Sequence, residues 1–225
     1  MPSYPHSGLR GFIVRSALIA SVGLGILTQP VFAIAQSPPK VVHIGYLGVG
    51  GRTPDGAPPS PLREALRELG YIDGQTVAYE ARFAEGKGER LPGLAAELVR
   101  IPVDVIVATG GPATAAARQA TATIPIVMAP AAGDAVALGW IASLPRPGGN
   151  VTGLTDESVQ LSAKRMELLK AAVPKAALVA VLWNATDPGM TLRYRAIEKA
   201  AQILHVEVQA LSVRQPEDFA GRFPR

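Results

Sequence analysis

The sequence predicts an α/β protein with two Rossmann-like lobes, each built on a parallel sheet. Short apolar runs typical of buried strands alternate along the chain with apolar residues at helical spacing. A Pro-Arg-Pro-Gly-Gly segment at residues 145–149 interrupts this alternation, which then begins again. Of the 225 residues, 48% are hydrophobic and only 5% aromatic, so small aliphatic side chains are available for close packing of helices on sheets.

The first 35 residues are predicted to be a signal peptide. They contain Arg10, Arg15 and no acidic residue, followed by an apolar run at 16–27 and by Ala33-Ile34-Ala35. A basic segment, a short apolar segment and a small-x-small cleavage site are typical of secretion signals. The apolar run is short for a membrane span, which disfavours the alternative of an uncleaved anchor. We therefore expect cleavage before Gln36 and export to the periplasm.

The N-terminal lobe is expected to span residues 36–149. Residues 41–47 form an apolar run typical of a buried strand, and a Gly- and Pro-rich loop follows. Ser60 and Pro61 are typical of a helix start, and Gly70 is typical of a helix end. The same alternation predicts strands at 76–83, 103–108 and 124–129, helices at 91–98 and 112–120, and a short helix at 135–144.

The second lobe is expected to span residues 150–225. The pattern predicts a short strand at 151–154, a helix at 159–173, a strand at 178–183, a helix at 190–204, a strand at 206–211 and a helix beginning at 215–219. Sheets usually contain about five or six strands. The second lobe is therefore predicted to be incomplete.

The composition and motifs argue against catalysis, metal binding and nucleic-acid binding. The chain has no cysteine, which excludes disulfides, thiolate metal sites and lipid anchoring through cysteine. Its net charge of +4 is not clustered. His43 lies in a strand and His205 at a helix end, without a nucleophile motif nearby, so both are interpreted as structural. Gly48-Val-Gly50-Gly51 lacks the third glycine of a dinucleotide fingerprint. We predict no enzyme activity and no cofactor.

Four loops at the carboxyl ends of the predicted strands are the candidate ligand-binding segments, because open α/β sheets bind ligands at that edge. The first is the long loop at 48–60. Thr109-Gly110-Gly111 precedes a helix whose free amides would face an anion. Asp134 follows the fourth strand and is a candidate partner for an ammonium group, and Asn184 begins a loop in the second lobe. Each also fits an ordinary cap or turn. The aromatic candidates for a pocket are Tyr46, Trp140, Trp183 and Tyr194, of which the two tryptophans are expected to pack in the core.

Four segments together carry a family resemblance. They are the run from Leu69-Gly70-Tyr71 to Gly86, the Thr109-Gly110-Gly111 turn, the Leu144-Pro-Arg-Pro-Gly-Gly-Asn150-Val-Thr152-Gly153 run, and the helix 163–169. With these segments the chain resembles, from about residue 41 to 219, the periplasmic substrate-binding components of ABC transporters of the TrpX-like type. The Pro-Gly-Gly-Asn-Val-Thr-Gly run is the most specific of them.

The resemblance implies a type I periplasmic-binding fold. Its two lobes close on a small molecule, an aromatic or other amino acid among the candidates, and deliver it to a membrane permease driven by a separate ATPase. It implies ligand contacts from Thr109, Gly110, Gly111, Asp134, Thr155 and Asn184, and a hinge or crossing at Asn150, Val151, Thr152 and Gly153.

Full-length members of the resembling family continue past residue 225, so the chain is expected to be truncated at its C-terminus. Ala185 also stands where the family commonly has proline after Asn184. Two other functions stay open on the sequence. One is an exported α/β enzyme using Asp134, Asp187 or Ser158, and the other is the ligand-sensing domain of a receptor.

Overall fold

The computed structural model describes residues 40–131, 133–214 and 217–219, so the predicted signal peptide and residues 215 and 216 of the predicted helix start lie outside the described residues. In the first lobe the elements are β1 (Val42–Gly48), α1 (Ser60–Glu68), β2 (Val77–Phe83), α2 (Leu91–Arg100), β3 (Val105–Thr109), α3 (Gly111–Ala120), β4 (Ile126–Ala131) and β5 (Val151–Thr155). In the second lobe they are α4 (Ser158–Ala172), β6 (Leu178–Asn184), α5 (Pro188–Ile203) and β7 (Glu207–Val213).

The first sheet is fully parallel and has the strand order β2-β1-β3-β4-β5. One face packs on α2 and α3 through Leu47, Leu98 and Ile106, none of which exposes any surface. The other face packs on α1 through Ile44, Tyr46 and Val107. Burial of both faces explains why the inner strands β1, β3 and β4 appear in the sequence as largely apolar runs, whereas the edge strand β2 alternates. The predicted parallel α/β arrangement is thus confirmed.

The boundary between the lobes differs from the expected one. Residues 151–155 were expected to begin the second lobe, but β5 pairs with β4 as the edge strand of the first sheet, with Ile126 opposite Val151. Val151 is 2% exposed and belongs to the core of the first lobe. The change from one sheet to the other therefore comes after Thr155, and the predicted hinge residues Asn150, Val151, Thr152 and Gly153 belong to the first sheet or precede it directly.

The predicted helix at 135–144 is wrong. The segment forms turns in which the amides of Trp140 and Ile141 both donate to the carbonyl of Ala135. Gly139, with a φ of 66°, breaks the helical path. The turn places Trp140, 7% exposed, in the core of the first lobe, which agrees with its predicted packing role.

The second lobe has a two-stranded parallel sheet of β6 and β7 among the described residues. One of its faces packs on α4 and α5 through Val179 and Val208, against Met166 and Ala201. In the described part of the chain no helix has the length and apolar character needed to cross a membrane.

Candidate functional site

A cavity of about 430 Å³ opens at the carboxyl ends of β1, β2, β3 and β6. We call it the inter-lobe cavity, because residues of both lobes line it. Its lining residues are Tyr46, Val49, Gly50, Gly51, Thr53, Pro59, Phe83, Thr109, Gly110, Pro112, Asn184 and Asp187. Its volume and mixed apolar and polar lining are those of a small-molecule site, at the sheet edge where α/β proteins bind ligands.

One wall of the inter-lobe cavity is aromatic. The rings of Tyr46 and Phe83 lie 5.5 Å apart, tilted by 47°. The hydroxyl of Thr109 donates to the Tyr46 hydroxyl over 3.1 Å and fixes the position of that ring. Gly48 leaves room for it, since a Cβ built on Gly48 would lie 2.9 Å from Tyr46 Cε1. This wall suits an apolar or aromatic group of a ligand.

The N-terminus of α3 forms a second wall. Gly110 adopts a φ of 89°, a conformation that favours glycine, and turns the chain from β3 into the helix. Pro112 supplies no amide hydrogen, and the amides of Gly111 and Ala113 have no hydrogen-bond partner within the described residues. Free amides at a helix N-terminus attract anions. This wall can therefore bind a carboxylate.

Asp187 faces α3 from the second lobe. It caps α5, and its Oδ1 accepts hydrogen bonds from the amides of Gly189 (2.8 Å) and Met190 (3.2 Å). It is 7% exposed. Burial raises the pKa of its carboxyl group above the ordinary 3.8, and the two amide hydrogen bonds and the charge of Arg193 only partly oppose that rise.

The first turn of α5 touches the first lobe at three glycines. A Cβ built on Gly111 would lie 2.8 Å from Asp187 Oδ1, and one on Gly133 would lie 2.6 Å from Gly189 Cα. A Cβ on Gly88 would lie 3.6 Å from the Thr186 hydroxyl. Glycine thus lets the lobes approach backbone to backbone at Gly133, and it leaves room for side chains of the second lobe at Gly111 and Gly88.

Asp156 links the lobes where the chain changes sheets. Its Oδ1 accepts hydrogen bonds from the amide of Gly133 (3.2 Å) and from the amide and hydroxyl of Ser158, and its Oδ2 pairs with Arg193 (2.7 Å). Partial burial raises its pKa, but the hydrogen bonds from Ser158 and Gly133 and the charge of Arg193 outweigh burial and lower the pKa to about 2.

The structure brings together some of the residues that the sequence singled out. Thr109, Gly110 and Asn184 line the inter-lobe cavity, and Gly111 lies beside it against Asp187. Asn184 Oδ1 accepts from the amide and the hydroxyl of Thr186, which holds the loop in a tight turn despite the absence of proline at 185.

Other predicted residues lie elsewhere. The Asp134 carboxylate accepts from the amides of Val136 and Ala137, so it caps the turn after β4 and does not line the inter-lobe cavity. The Thr155 hydroxyl donates to the Gly133 carbonyl over 2.5 Å. The side-chain amide of Asn150 donates hydrogen bonds to the carbonyls of Thr121 and Ile124. These bonds connect the start of β5 to the segment that precedes β4.

Two lining residues were missed or given another role. Phe83 was not selected as a ligand contact because its position at the end of the alternating strand β2 is explained by packing alone. Asp187 belongs to the candidate loop that begins at Asn184, but the residue itself was named only as a candidate acid, base or nucleophile of an enzyme, although the Asp-Pro pair at 187–188 is a helix-start signal. That position on the binding edge of the second sheet was the signal that would have selected it.

The remaining aromatic candidates lie outside the inter-lobe cavity. Trp183 stacks on Tyr194 with ring centroids 4.6 Å apart, and both line a separate cavity between β6, α4 and α5. Trp183 is half-buried and not in the core cluster of its lobe, unlike Trp140. Within the residues that the structure describes, no group of three His, Cys, Asp or Glu residues could hold a metal ion.

Comparison with known proteins identifies the family. The family model described as ABC transporter substrate binding protein matches residues 59–221. The chain belongs to this family. A tyrosine-binding protein of Clostridioides difficile (strain R20291) is 33% identical to it over 146 residues, which is 64% of this chain and 41% of that protein.

Two solved structures show how much of the fold this family member covers. The ABC domain from Streptococcus pneumonia in complex with L-Trp superposes with a TM-score of 0.67 at 23% identity, over 81% of this chain and 61% of that one. The ligand-free, open structure of a substrate binding protein with adhesive properties from Clostridium difficile gives a TM-score of 0.51 at 27% identity, over 80% of this chain and 60% of that one. The family member thus has the type I periplasmic-binding fold and spans less than two thirds of the length of these relatives.

Proposed function

We propose that this substrate-binding protein holds an amino acid, preferably an aromatic one, in the inter-lobe cavity as the solute-binding component of an ABC importer. The observation that carries the proposal is the composition of the cavity. An aromatic wall of Tyr46 and Phe83 stands beside the free amides of α3, and the Asn184 loop of the second lobe closes the other side. An apolar group beside a carboxylate is the chemistry that this pairing fits.

The relatives support an amino-acid ligand. A tyrosine-binding protein is 33% identical over 146 residues, and the structure with a TM-score of 0.67 carries L-Trp. We propose ligand contacts from Thr109, Gly110 and Asn184, which line the inter-lobe cavity. The crossing after Thr155 is the proposed hinge, with Asn150, Val151, Thr152 and Gly153 anchoring it in the first sheet.

The finer parts of the proposal concern the cell. The predicted signal peptide directs the protein to the periplasm, where it passes its ligand to a permease that works with a separate ATPase. Ligand exchange through lobe movement requires no covalent chemistry, so the proposed role is that of a binding protein and not of an enzyme. Fractionation of cells that express the protein should place it in the periplasmic fraction, and cytoplasmic retention would contradict this part.

The function is tested by thermal unfolding of the purified protein with each of the twenty amino acids. A ligand present at a hundred times its Kd adds about 2.7 kcal/mol to the free energy of unfolding. For a chain of this size that raises Tm by roughly 5–10 °C. We expect such a shift with L-tyrosine or L-tryptophan. A cooperative transition that no amino acid shifts would contradict the proposal.

A further inference from the structure

Asp187 has a carboxylate oxygen that the fold does not use. Its Oδ1 accepts the two amide hydrogen bonds that cap α5. Its Oδ2 accepts no hydrogen bond from any described residue, although Asp187 is 7% exposed and lines the inter-lobe cavity. A carboxylate oxygen that has no donor in the protein and borders a cavity is available to a donor group of a ligand.

The protein supplies no cation to this oxygen. Arg193 is the basic residue whose charge acts on Asp187, but its guanidinium pairs with Asp156 over 2.7 Å. Burial raises the pKa of Asp187 because the negative charge is poorly compensated where it lies. A cationic group of a ligand would supply the missing compensation.

The place of Asp187 matches the other features of the cavity. Its carboxylate lies against Gly111, at the same helix N-terminus whose free amides suit a carboxylate. The ammonium and carboxylate of an α-amino acid are attached to one carbon atom, so they need an acceptor and donors that lie side by side. The aromatic wall of Tyr46 and Phe83 then remains for the side chain.

We propose that Asp187 binds the ammonium group of the ligand through Oδ2 and so makes the protein select α-amino acids over the corresponding carboxylic acids. This assignment rests on the proposed function. It gives to Asp187 the role that the sequence suggested for Asp134, whose Oδ1 caps the turn after β4, whose Oδ2 accepts from the Gln160 side chain over 3.5 Å, and which does not line the inter-lobe cavity.

The test combines one substitution with matched ligands. Asp187→Asn keeps the helix cap, since asparagine caps helices as well as aspartate does, but it removes the charge. Asp134→Asn is the matched control, because Asp134 also caps a turn and lies outside the inter-lobe cavity. The probes are L-tyrosine and L-tryptophan, their deaminated analogues 3-(4-hydroxyphenyl)propionate and indole-3-propionate, and tyramine, which lacks the carboxylate. Affinities are measured by isothermal titration calorimetry at pH 7.5.

We expect the unmodified protein to bind the better of the two amino acids at least tenfold more tightly than its deaminated analogue. Asp187→Asn should weaken binding of that amino acid by about 30-fold or more, as loss of a buried charge partner does, and should leave the analogue within about threefold. Asp187→Asn should also weaken the binding of tyramine, as it weakens that of the amino acid. Asp134→Asn should change neither the affinity for the amino acid nor the affinity for tyramine.

The assignment is wrong if Asp187→Asn weakens the amino acid and its analogue equally, or weakens neither. The assignment is also wrong if the unmodified protein binds the amino acid and its deaminated analogue with equal affinity. This comparison needs no variant, so it does not depend on how Asp187→Asn folds. These results leave the proposed function standing, because a ligand still binds. If none of the probes and no other amino acid binds the unmodified protein, the proposed function fails and the assignment fails with it.

Discussion

Gly111→Ala is the sharpest test of the contact between the lobes. The added Cβ would lie 2.8 Å from Asp187 Oδ1, about 0.6 Å closer than ordinary contact allows. Asp187 cannot swing aside freely, because the amides of Gly189 and Met190 hold that same oxygen. The φ of Gly111 is not in the left-handed region, so alanine fits the first turn of α3 without backbone strain. The substitution therefore acts on the approach of the lobes and not on either lobe alone.

The cost of this overlap falls on the ligand-bound state. Overpacking a tight contact costs about 1–3 kcal/mol. In the proposed function the ligand touches both lobes and binds only when they are close, so the cost reduces its affinity by about 5- to 150-fold. In the proposed function, the second lobe moves away from α3 at the crossing after Thr155 when no ligand is bound. We therefore expect the Tm of the ligand-free variant to stay within about 2 °C of the unmodified protein.

Calorimetric titration of the tightest-binding amino acid measures the effect. Gly93→Ala is the matched control, since Gly93 also lies in the first turn of a helix of the first lobe and a Cβ there would meet nothing within 4 Å. An unchanged affinity for Gly111→Ala would refute the reasoning, because it would mean that ligand binding does not need this contact. A large fall in the ligand-free Tm would refute it as well, since the damage would then be to the fold.

Three further predictions follow from the site. The affinity for an amino acid should fall as the pH decreases through the raised pKa of Asp187, because only the charged carboxylate attracts an ammonium group. The fall should therefore begin at a higher pH than for a carboxyl group with the ordinary pKa of 3.8. Calorimetric titrations between pH 4 and 8 should show this pH dependence in the unmodified protein and not in Asp187→Asn, and its persistence in the variant would contradict the prediction. Phe83→Leu should weaken binding of L-tyrosine or L-tryptophan by about tenfold at most, which is the contribution of one aromatic contact. The affinity for L-leucine, if that ligand binds, should not fall. Equal losses of affinity for all ligands in calorimetry would mean that Phe83 only supports the fold. Asp156→Asn should lower Tm at pH 7 by about 2–4 °C, because a half-exposed pair with Arg193 contributes no more than about 1 kcal/mol. Since the folded pKa of Asp156 is lowered to about 2 from 3.8, that contribution is present above pH 3.8 and disappears as the pH falls towards 2, so melts of the two proteins should converge in that window.

The order of strands and helices could be predicted from the sequence because the periodicities are local. A strand such as β3 (Val105–Thr109) is buried on both faces and therefore apolar throughout, and α2 (Leu91–Arg100) repeats its apolar residues at helical spacing. The segment 135–144 has a helix-like composition, but Gly139 and the requirement to bury Trp140 decide its turns. The sheet to which β5 belongs is set by pairing with β4, a contact between distant residues that periodicity does not encode.

The candidate site could be predicted only as far as the binding edge. Thr109, Gly110 and Asn184 were selected because they follow strands, and they line the inter-lobe cavity. The choice between Asp134 and Asp187 depended on which carboxylate has an unused oxygen facing the cavity. Both residues cap a turn or helix, so composition and spacing could not separate them.

The glycine contacts between the lobes have a consequence for how such a protein can diversify. The lobes meet where Gly111 lies against the Asp187 carboxylate and where Gly133 lies against the backbone of Gly189, whereas the inter-lobe cavity is lined by side chains such as Tyr46 and Phe83. In the proposed function, the contacts between the lobes and the surface that recognises the ligand are therefore separate traits. Substitutions in the aromatic wall would then change the ligand preference and leave the proposed lobe movement unchanged.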